Sequence, residues 1–333
     1  MAGIIMPAIA PFLSLFVHES AAKLRSIEGS NFVELTQEVA NIVKESRHSL
    51  KYFDDSKKSV AELLAYMDEV VVPAHREKFL GNAWLPWARR FESDLGIYSY
   101  NGLPIANTHG ISMSMGLTVI EIVGGVRERV VEVATAQGEY FSRIGATFDN
   151  AARSFATEMD PALLKSHDRR SEKVYGRAFA SFEPNATAFL INHACVVNLM
   201  REVLRLDRDS SSVNTVMKLR YLTLYQVARS LEIVLNDSRF SDIDSKWRPL
   251  ALKTISSWPF REVISEDARP LRNTLMHYGL DSRISAENLD LSRRLYGLPG
   301  ACLGGMGFDE FAGLVDESLL QLQMLLNNQL GRI

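Results

Sequence analysis

Apolar positions recur every three to four residues along most of the chain, which is the period of an amphipathic helix. One apolar stripe runs from Phe32 to Leu50, and a capping box at Ser59–Glu62 predicts a second helix, interrupted near Pro73. The stretch 117–157 contains a heptad-like seam suited to pairing with another helix. The seam consists of Phe141, Ile144, Phe148, Ala151 and Phe155. Strand-like alternation of useful length is absent from this half of the sequence, so the pattern predicts helices only.

The helical period is lost in two places. Residues 82–110 contain Trp84, Trp87 and several prolines and glycines, which predict a packed irregular connection with Arg89 and Arg90 on its surface. A run of charged residues flanked by prolines then predicts a solvated linker. We therefore divide the chain into an N-terminal helical domain (1–160), a polar linker (161–183) and a C-terminal domain (184–333).

The C-terminal domain contains four helical segments in the order long, long, short and long. They cover residues 186–206, 213–235, 268–278 and 308–330. His193 lies on the apolar stripe of the first segment, which favours a hydrogen-bonded core histidine over a catalytic one. The pattern predicts an all-α protein whose C-terminal part is a four-helix bundle preceded by an N-terminal helical domain.

Composition narrows the functional classes. With 47% apolar and 23% charged residues, the chain is typical of a globular protein. A net charge of −3 argues against a broad basic surface that coats nucleic acid. Cys195 and Cys302 lie far apart and have no zinc-ligand spacing. We therefore expect a reducing, cytoplasmic location, no metal and no cofactor.

The N-terminal segment, residues 1–17, is uncharged and rich in aliphatic side chains. A membrane span needs about 20 apolar residues, and Pro7 and Pro11 would interrupt it. We expect this segment to be buried or covered by a partner. Membrane association is a minor alternative.

The stretch that carries candidate chemistry is Ala268–Gly279. Pro270 fits the first turn of a helix, and Gly279 is placed to end that helix in a left-handed cap. The apolar pair Leu271 and Leu275 is predicted to face a core, on a different stripe from the polar residues. The polar residues are Arg272, Asn273 and His277, so a guanidinium, an amide and an imidazole converge along one edge.

Those groups suit a phosphodiester, because arginine donates to phosphate oxygens and imidazole transfers protons near neutral pH. The arrangement Arg272-Asn273-x-x-x-His277 resembles the Arg-polar-x-x-x-His signature of the HEPN superfamily. Active members of that family are metal-independent ribonucleases. The four-segment layout, with the motif on the third helix, also resembles the family's bundle. The resemblance covers roughly residues 184–333.

The resemblance implies that two motif helices meet across a two-fold axis in a homodimer or higher oligomer, and that the cleft binds single-stranded or loop RNA. His277 would be the general acid or base, Arg272 would stabilise the phosphorane oxygens, and Asn273 would orient His277 or the phosphate. Arg269 and Tyr278 would contact the substrate. The setting would be a toxin or antiviral (abortive-infection) defence, with an antitoxin or defence-system partner and with the N-terminal domain as sensor.

Two other readings remain open at this point. The same residues could serve a non-catalytic HEPN-like module for dimerisation or for binding a nucleotide or RNA. Alternatively, the protein could be a structural helical interaction protein whose working surface is the seam between Phe141 and Phe155.

Overall fold

A computed structural model describes residues 2–28, 64–115, 119–144, 159–179, 184–209, 212–237 and 247–330, together with isolated positions between 35 and 44. The protein is mostly helical and contains a small three-stranded sheet. The prediction of a predominantly α-helical protein is therefore confirmed. Most of the predicted stripe from Phe32 to Leu50, and the seam residues Phe148, Ala151 and Phe155, lie outside the described residues.

The first half contains the three strands of the sheet and several helices. In chain order they are α1 (Ala2–Glu28), a π-helical turn (Met67–Val71) that continues into α2 (Val72–Phe79), a 3-10 turn (Ala88–Phe91), β1 (Leu95–Tyr100), β2 (Leu103–Asn107), α3 (Thr108–Met115), α4 (Val119–Arg143), a 3-10 turn (Pro161–Leu163), β3 (Leu164–Arg169) and α5 (Ser171–Tyr175).

The described residues of the second half form helices and connecting turns, without a strand. Its elements are α6 (Pro184–Asn198), which ends in a π-helical turn (Leu199–Val203), α7 (Val213–Asn236), α8 (Trp247–Ile255), α9 (Trp258–Ile264), a 3-10 turn (Glu266–Ala268), α10 (Arg269–His277), 3-10 turns at Ala286–Asn288 and Arg294–Gly297, α11 (Leu298–Cys302) and α12 (Phe308–Leu330).

The sheet corrects the expectation that the first half has no strands. Its strands lie in the antiparallel order β2-β1-β3. Asn101 and Gly102 connect β1 to β2, both with positive φ (51° and 78°), which is the backbone requirement of a tight two-residue hairpin turn. A register shift after Tyr98 breaks the alternation of buried and exposed positions that would have revealed β1.

β3 lies inside the segment predicted to be a polar linker. Five of its six side chains are exposed, so its sequence looks like a solvated connection. Its backbone nevertheless pairs with β1 over the whole length from Leu164 to Arg169. Charged side chains on an edge strand also discourage pairing with other chains.

One hydrophobic cluster joins residues from both sides of the predicted domain boundary. It includes Phe12 of α1, Ile97 of β1, Phe189 of α6, Tyr221 of α7 and Phe311 of α12. All five are almost completely buried. The division into two domains stays a prediction, but the described residues of the two halves share this core.

α1 is a continuous helix that includes Pro7 and Pro11. It packs along α4, where the side-chain amide of Gln137 donates to the Ala10 carbonyl (3.0 Å) and to the Ser14 hydroxyl (2.9 Å). Of the two expectations for the N-terminal segment, burial is confirmed for residues 5–17, which are buried or half-buried. Among the described residues, the α1 region is also the one helix long and apolar enough to cross a membrane, judged by length and composition alone.

A buried polar network holds α2, α3 and α5 against the start of β1. His75 bonds the Ser112 hydroxyl (2.9 Å), and His109 lies between the Tyr175 hydroxyl (2.6 Å) and the Asp94 carbonyl (3.0 Å). Burial lowers the pKa of His75 to about 4 and that of His109 to about 3. Both imidazoles are therefore neutral at pH 7 and act as hydrogen-bonding core residues.

Candidate functional site

The motif helix α10 buries Leu271, Leu275 and Met276 against the core and packs on α7. The burial predicted for the two leucines is confirmed. The left-handed residue at the end of the helix is Tyr278 (φ 51°), whereas Gly279 was predicted. A left-handed tyrosine costs about 1–2 kcal/mol, so its surroundings must hold it in place.

Tyr278 is held by two contacts, one with an aromatic ring and one with an ammonium group. The Tyr278 ring meets the edge of Phe16 from α1, with a centroid separation of 6.3 Å. The ammonium of Lys218, from α7, lies 3.4 Å from the centroid of the Tyr278 ring. Tyr278 therefore faces α1 and α7, and burial raises its pKa.

Arg272 and Asn273 form a hydrogen-bonded pair. Arg272 Nη1 donates to Asn273 Oδ1 over 3.0 Å, and the guanidinium carbon lies 5.7 Å from the centroid of the Tyr225 ring. Burial lowers the pKa of Arg272, although a guanidinium remains charged in proteins. The side chain is thus oriented by its neighbour and by an aromatic surface.

Asn273 is itself oriented by a residue that sequence reasoning missed. Its amide nitrogen donates to Asp281 Oδ2 over 2.9 Å. Arg283 makes a two-bond contact with the same carboxylate, from Nε (2.8 Å) and Nη2 (2.9 Å). The bonds from Arg283 and then Asn273 hold the pKa of Asp281 well below its usual range. An ionised Asp281 therefore fixes which way the Asn273 amide points.

His277 pairs with a residue of the first half of the chain. Its Nδ1 lies 3.0 Å from Glu19 Oε2 of α1, and the two residues are 258 positions apart in sequence. The His277 side chain is 45% exposed, whereas that of Glu19 is 8% exposed. A buried carboxylate thus holds one nitrogen of a solvent-accessible imidazole. Arg272 and His277 lie on the same helix but are oriented by different partners: Arg272 by Asn273 and His277 by Glu19.

Arg269 points to the surface. Its guanidinium lies 3.4 Å from Glu266, and both side chains are more than half exposed. An exposed pair at this spacing contributes little to stability. Its position near the start of α10 leaves it accessible to a ligand.

An exposed aromatic loop precedes β1, where a packed connection was predicted. Trp84 is 90% exposed and Trp87 59% exposed. The loop is nevertheless ordered by Glu92, whose carboxylate accepts from the backbone N–H groups of Gly81 (2.6 Å) and Ala83 (2.5 Å). We call Trp84, Trp87, Arg89, Arg90 and Phe91 the aromatic loop. Its arginines are exposed, as predicted.

His193 is a core residue. It is fully buried, and its Nδ1–H donates to the Phe189 carbonyl (2.9 Å), so the prediction of a hydrogen-bonded core histidine is confirmed. Burial lowers its pKa to about 4. Within the described ranges, no group of three or more His, Cys, Asp and Glu side chains could hold a metal ion.

Comparisons with protein families, with curated proteins and with solved structures found no match for this chain.

Proposed function

We propose that the protein is a metal-independent endoribonuclease of the HEPN type that acts in the cytoplasm, in a toxin or antiviral defence setting. The observation that carries the proposal is the pairing of solvent-accessible His277 with buried Glu19. A carboxylate that accepts the Nδ1–H bond fixes the tautomer of an imidazole and stabilises its protonated form. Proton transfer to substrate is then assigned to Nε2.

The chemistry needs an RNA 2′-hydroxyl as nucleophile. Its oxygen attacks the adjacent phosphorus and loses its proton to a base, while the 5′-oxygen of the next nucleotide leaves and gains a proton. The products are a 2′,3′-cyclic phosphate and a 5′-hydroxyl. His277 performs one of the two proton transfers, and Arg272 stabilises the negative charge on the phosphorane oxygens.

Asp281 and Asn273 have a positioning role in this scheme. Asp281 accepts from the Asn273 amide, and Asn273 in turn accepts from Arg272. This chain of bonds limits the rotation of the guanidinium before substrate arrives. A preorganised donor stabilises a transition state better than one that must reorient.

The proposal includes a HEPN-like bundle built from α6, α7, α10 and α12. In its support, α12 packs against α6, α7 and α9, and α10 packs against α7. Two such bundles would bring two α10 helices together in a homodimer, with an antitoxin or defence partner controlling access.

Glu19 provides a direct test of the pairing. The Glu19→Gln variant keeps the size of the side chain but loses the charge that stabilises an imidazolium. We expect RNA cleavage to fall by about tenfold, less than on loss of the imidazole itself. KM should remain similar, because Glu19 is buried away from substrate. If the folded variant kept the wild-type kcat, Glu19 would have no role in the proposed site.

The aromatic loop is the proposed contact for single-stranded RNA, since exposed rings beside arginines can stack on unpaired bases. Alanine at Trp84 or Trp87 should weaken binding of a single-stranded oligonucleotide by about tenfold, because stacking contributes about 1–3 kcal/mol per base. Fluorescence anisotropy measures this effect. Trp258→Ala is the matched control, since Trp258 is 55% exposed on α9. Equal affinities for all three variants would contradict the assignment.

The second candidate is an RNA- or nucleotide-binding module without cleavage. It uses the same Arg272–Asn273 pair as an anion-binding group, without proton transfer by His277. The deciding experiment incubates the purified protein with structured RNA in EDTA. Cleavage with cyclic-phosphate ends supports the ribonuclease, whereas tight binding without cleavage supports the module.

A further inference from the structure

A cavity of about 300 Å³ lies between α7, the end of α10 and the segment that leads to α11. Its walls are largely apolar and include Leu275, Leu289 and Leu298. Two further lining residues at its mouth, Leu280 and Leu291, are 40% and 77% exposed. A volume near 300 Å³ is at the lower end of the range of about 300–1,000 Å³ for ligand pockets.

Lys218 contributes an ionisable amine to this apolar cavity. The residue is only 7% exposed, and its ammonium lies between the rings of Phe16 (4.6 Å) and Tyr278 (3.4 Å). Burial lowers its pKa to about 7, and no acidic group in the described part of the chain contributes to that value. Aromatic faces attract a cation but do not neutralise it.

A buried cation without a counter-ion is costly, and an anion that binds beside it recovers part of that cost. We propose that this cavity binds a small amphipathic carboxylate, with its head group on Lys218 and its apolar chain among the leucines. The proposal does not depend on RNA cleavage, because it rests on Lys218 and the cavity walls. His277 and Glu19 are not among the lining residues.

The size and charge of the cavity select the ligand class. A volume of about 300 Å³ lies at the lower end of the range for ligand pockets, which favours a small ligand, and octanoate is the probe chosen. A phosphate monoester carries about 1.5–2 negative charges at pH 7. In the described part of the chain, Lys218 is the one lysine or arginine that lines the cavity, which favours a head group with a single negative charge. The ammonium of Lys23 lies close by, 3.7 Å from the position of a Cβ at Gly279, so octyl phosphate is included as a comparison ligand.

Isothermal titration calorimetry of the full chain with octanoate tests the proposal, with 1-octanol and octyl phosphate as comparison ligands. We expect octanoate to bind, and 1-octanol to bind about tenfold or more weakly, because a hydrogen bond to a charged group contributes about 1.5–3 kcal/mol. Equal affinity for octanoate and 1-octanol, or no octanoate binding, would overturn the proposal. Tenfold tighter binding of octyl phosphate would replace the carboxylate by a phosphate monoester.

Variants distinguish the contribution of the Lys218 charge to octanoate binding from that of the shape of the cavity. Lys218→Met preserves side-chain length, so octanoate affinity should fall about tenfold or more while 1-octanol affinity is unchanged. Lys253→Met is the matched control, since Lys253 is exposed on α8 and does not line the cavity. It should bind octanoate like the wild type. Wild-type octanoate affinity in Lys218→Met would overturn the proposal.

A second pair of variants keeps the test decisive should Lys218→Met fail to fold. Leu291 is 77% exposed, so charged residues are tolerated there. Leu291→Asp places a negative charge at the mouth of the cavity and should weaken octanoate binding several-fold, whereas Leu291→Lys should strengthen it. Identical affinities in the two variants at low ionic strength would contradict carboxylate binding at this cavity.

Discussion

The His277→Ala variant should cleave RNA about 10²–10⁴-fold more slowly than the wild type, the usual effect of losing one general acid or base. The reason is the pairing with Glu19, which orients the ring of an otherwise accessible imidazole. The measurement is the single-turnover rate on structured RNA in EDTA. Because His277 is partly exposed, the variant should remain folded, as circular dichroism would verify.

His167→Ala is the matched control, since His167 is exposed on β3. It should cleave at the wild-type rate. A 2′-deoxy substitution at the cut site should abolish cleavage, because the nucleophile is then missing. Full activity in folded His277→Ala, or a requirement for Mg²⁺, would show the ribonuclease assignment to be wrong.

Acidification should destabilise the protein by several kcal/mol, through the buried histidines. Burial lowers the pKa of His75 and His193 to about 4 and that of His109 to about 3, from an ordinary value of 6.5. Below pH 6.5 the unfolded chain therefore binds more protons than the folded one. The free energy of unfolding should fall as the pH drops from about 6.5 to about 4, and it should change little through these groups above pH 7.5.

Urea unfolding at several pH values measures this effect. Replacing His193 by glutamine removes one of the three titrating groups, so the slope of stability against pH near pH 5.5 should decrease by about 1.4 kcal/mol per pH unit. Parallel pH profiles for the wild type and His193→Gln would contradict the idea that His193 is buried as a neutral ring.

Sequence periodicity predicted the helical elements well where one helix face is buried. α10 was predicted from Pro270 and from the apolar spacing of Leu271 and Leu275, and both leucines are buried. These features are local, so the sequence carries them directly. The Asn101-Gly102 turn was also a local signal, but the register shift in β1 obscured the alternation beside it.

The partners of the motif were beyond sequence reasoning for a different reason. Glu19 meets His277 across 258 residues, and Lys218 meets Tyr278 only because α7 and α10 pack together. Neither contact produces a repeating pattern of residues in the sequence, so neither could be predicted from periodicity. Asp281 is closer in sequence, but its role depends on a turn in which its N–H donates to Thr274 Oγ1 (3.0 Å). Long-range packing therefore determines the electrostatics of a site whose side chains were predicted from a short motif.

The distance between Glu19 and His277 along the chain also sets an order of events during protein synthesis. At about 5–20 residues per second, the 258 residues that separate them take roughly 13–50 s to translate. The contact of α1 with Gln137 of α4 becomes available much earlier, after 127 residues. For the proposed ribonuclease, the site is therefore completed only after most of the chain has been synthesised, once His277 itself has been added and can meet Glu19.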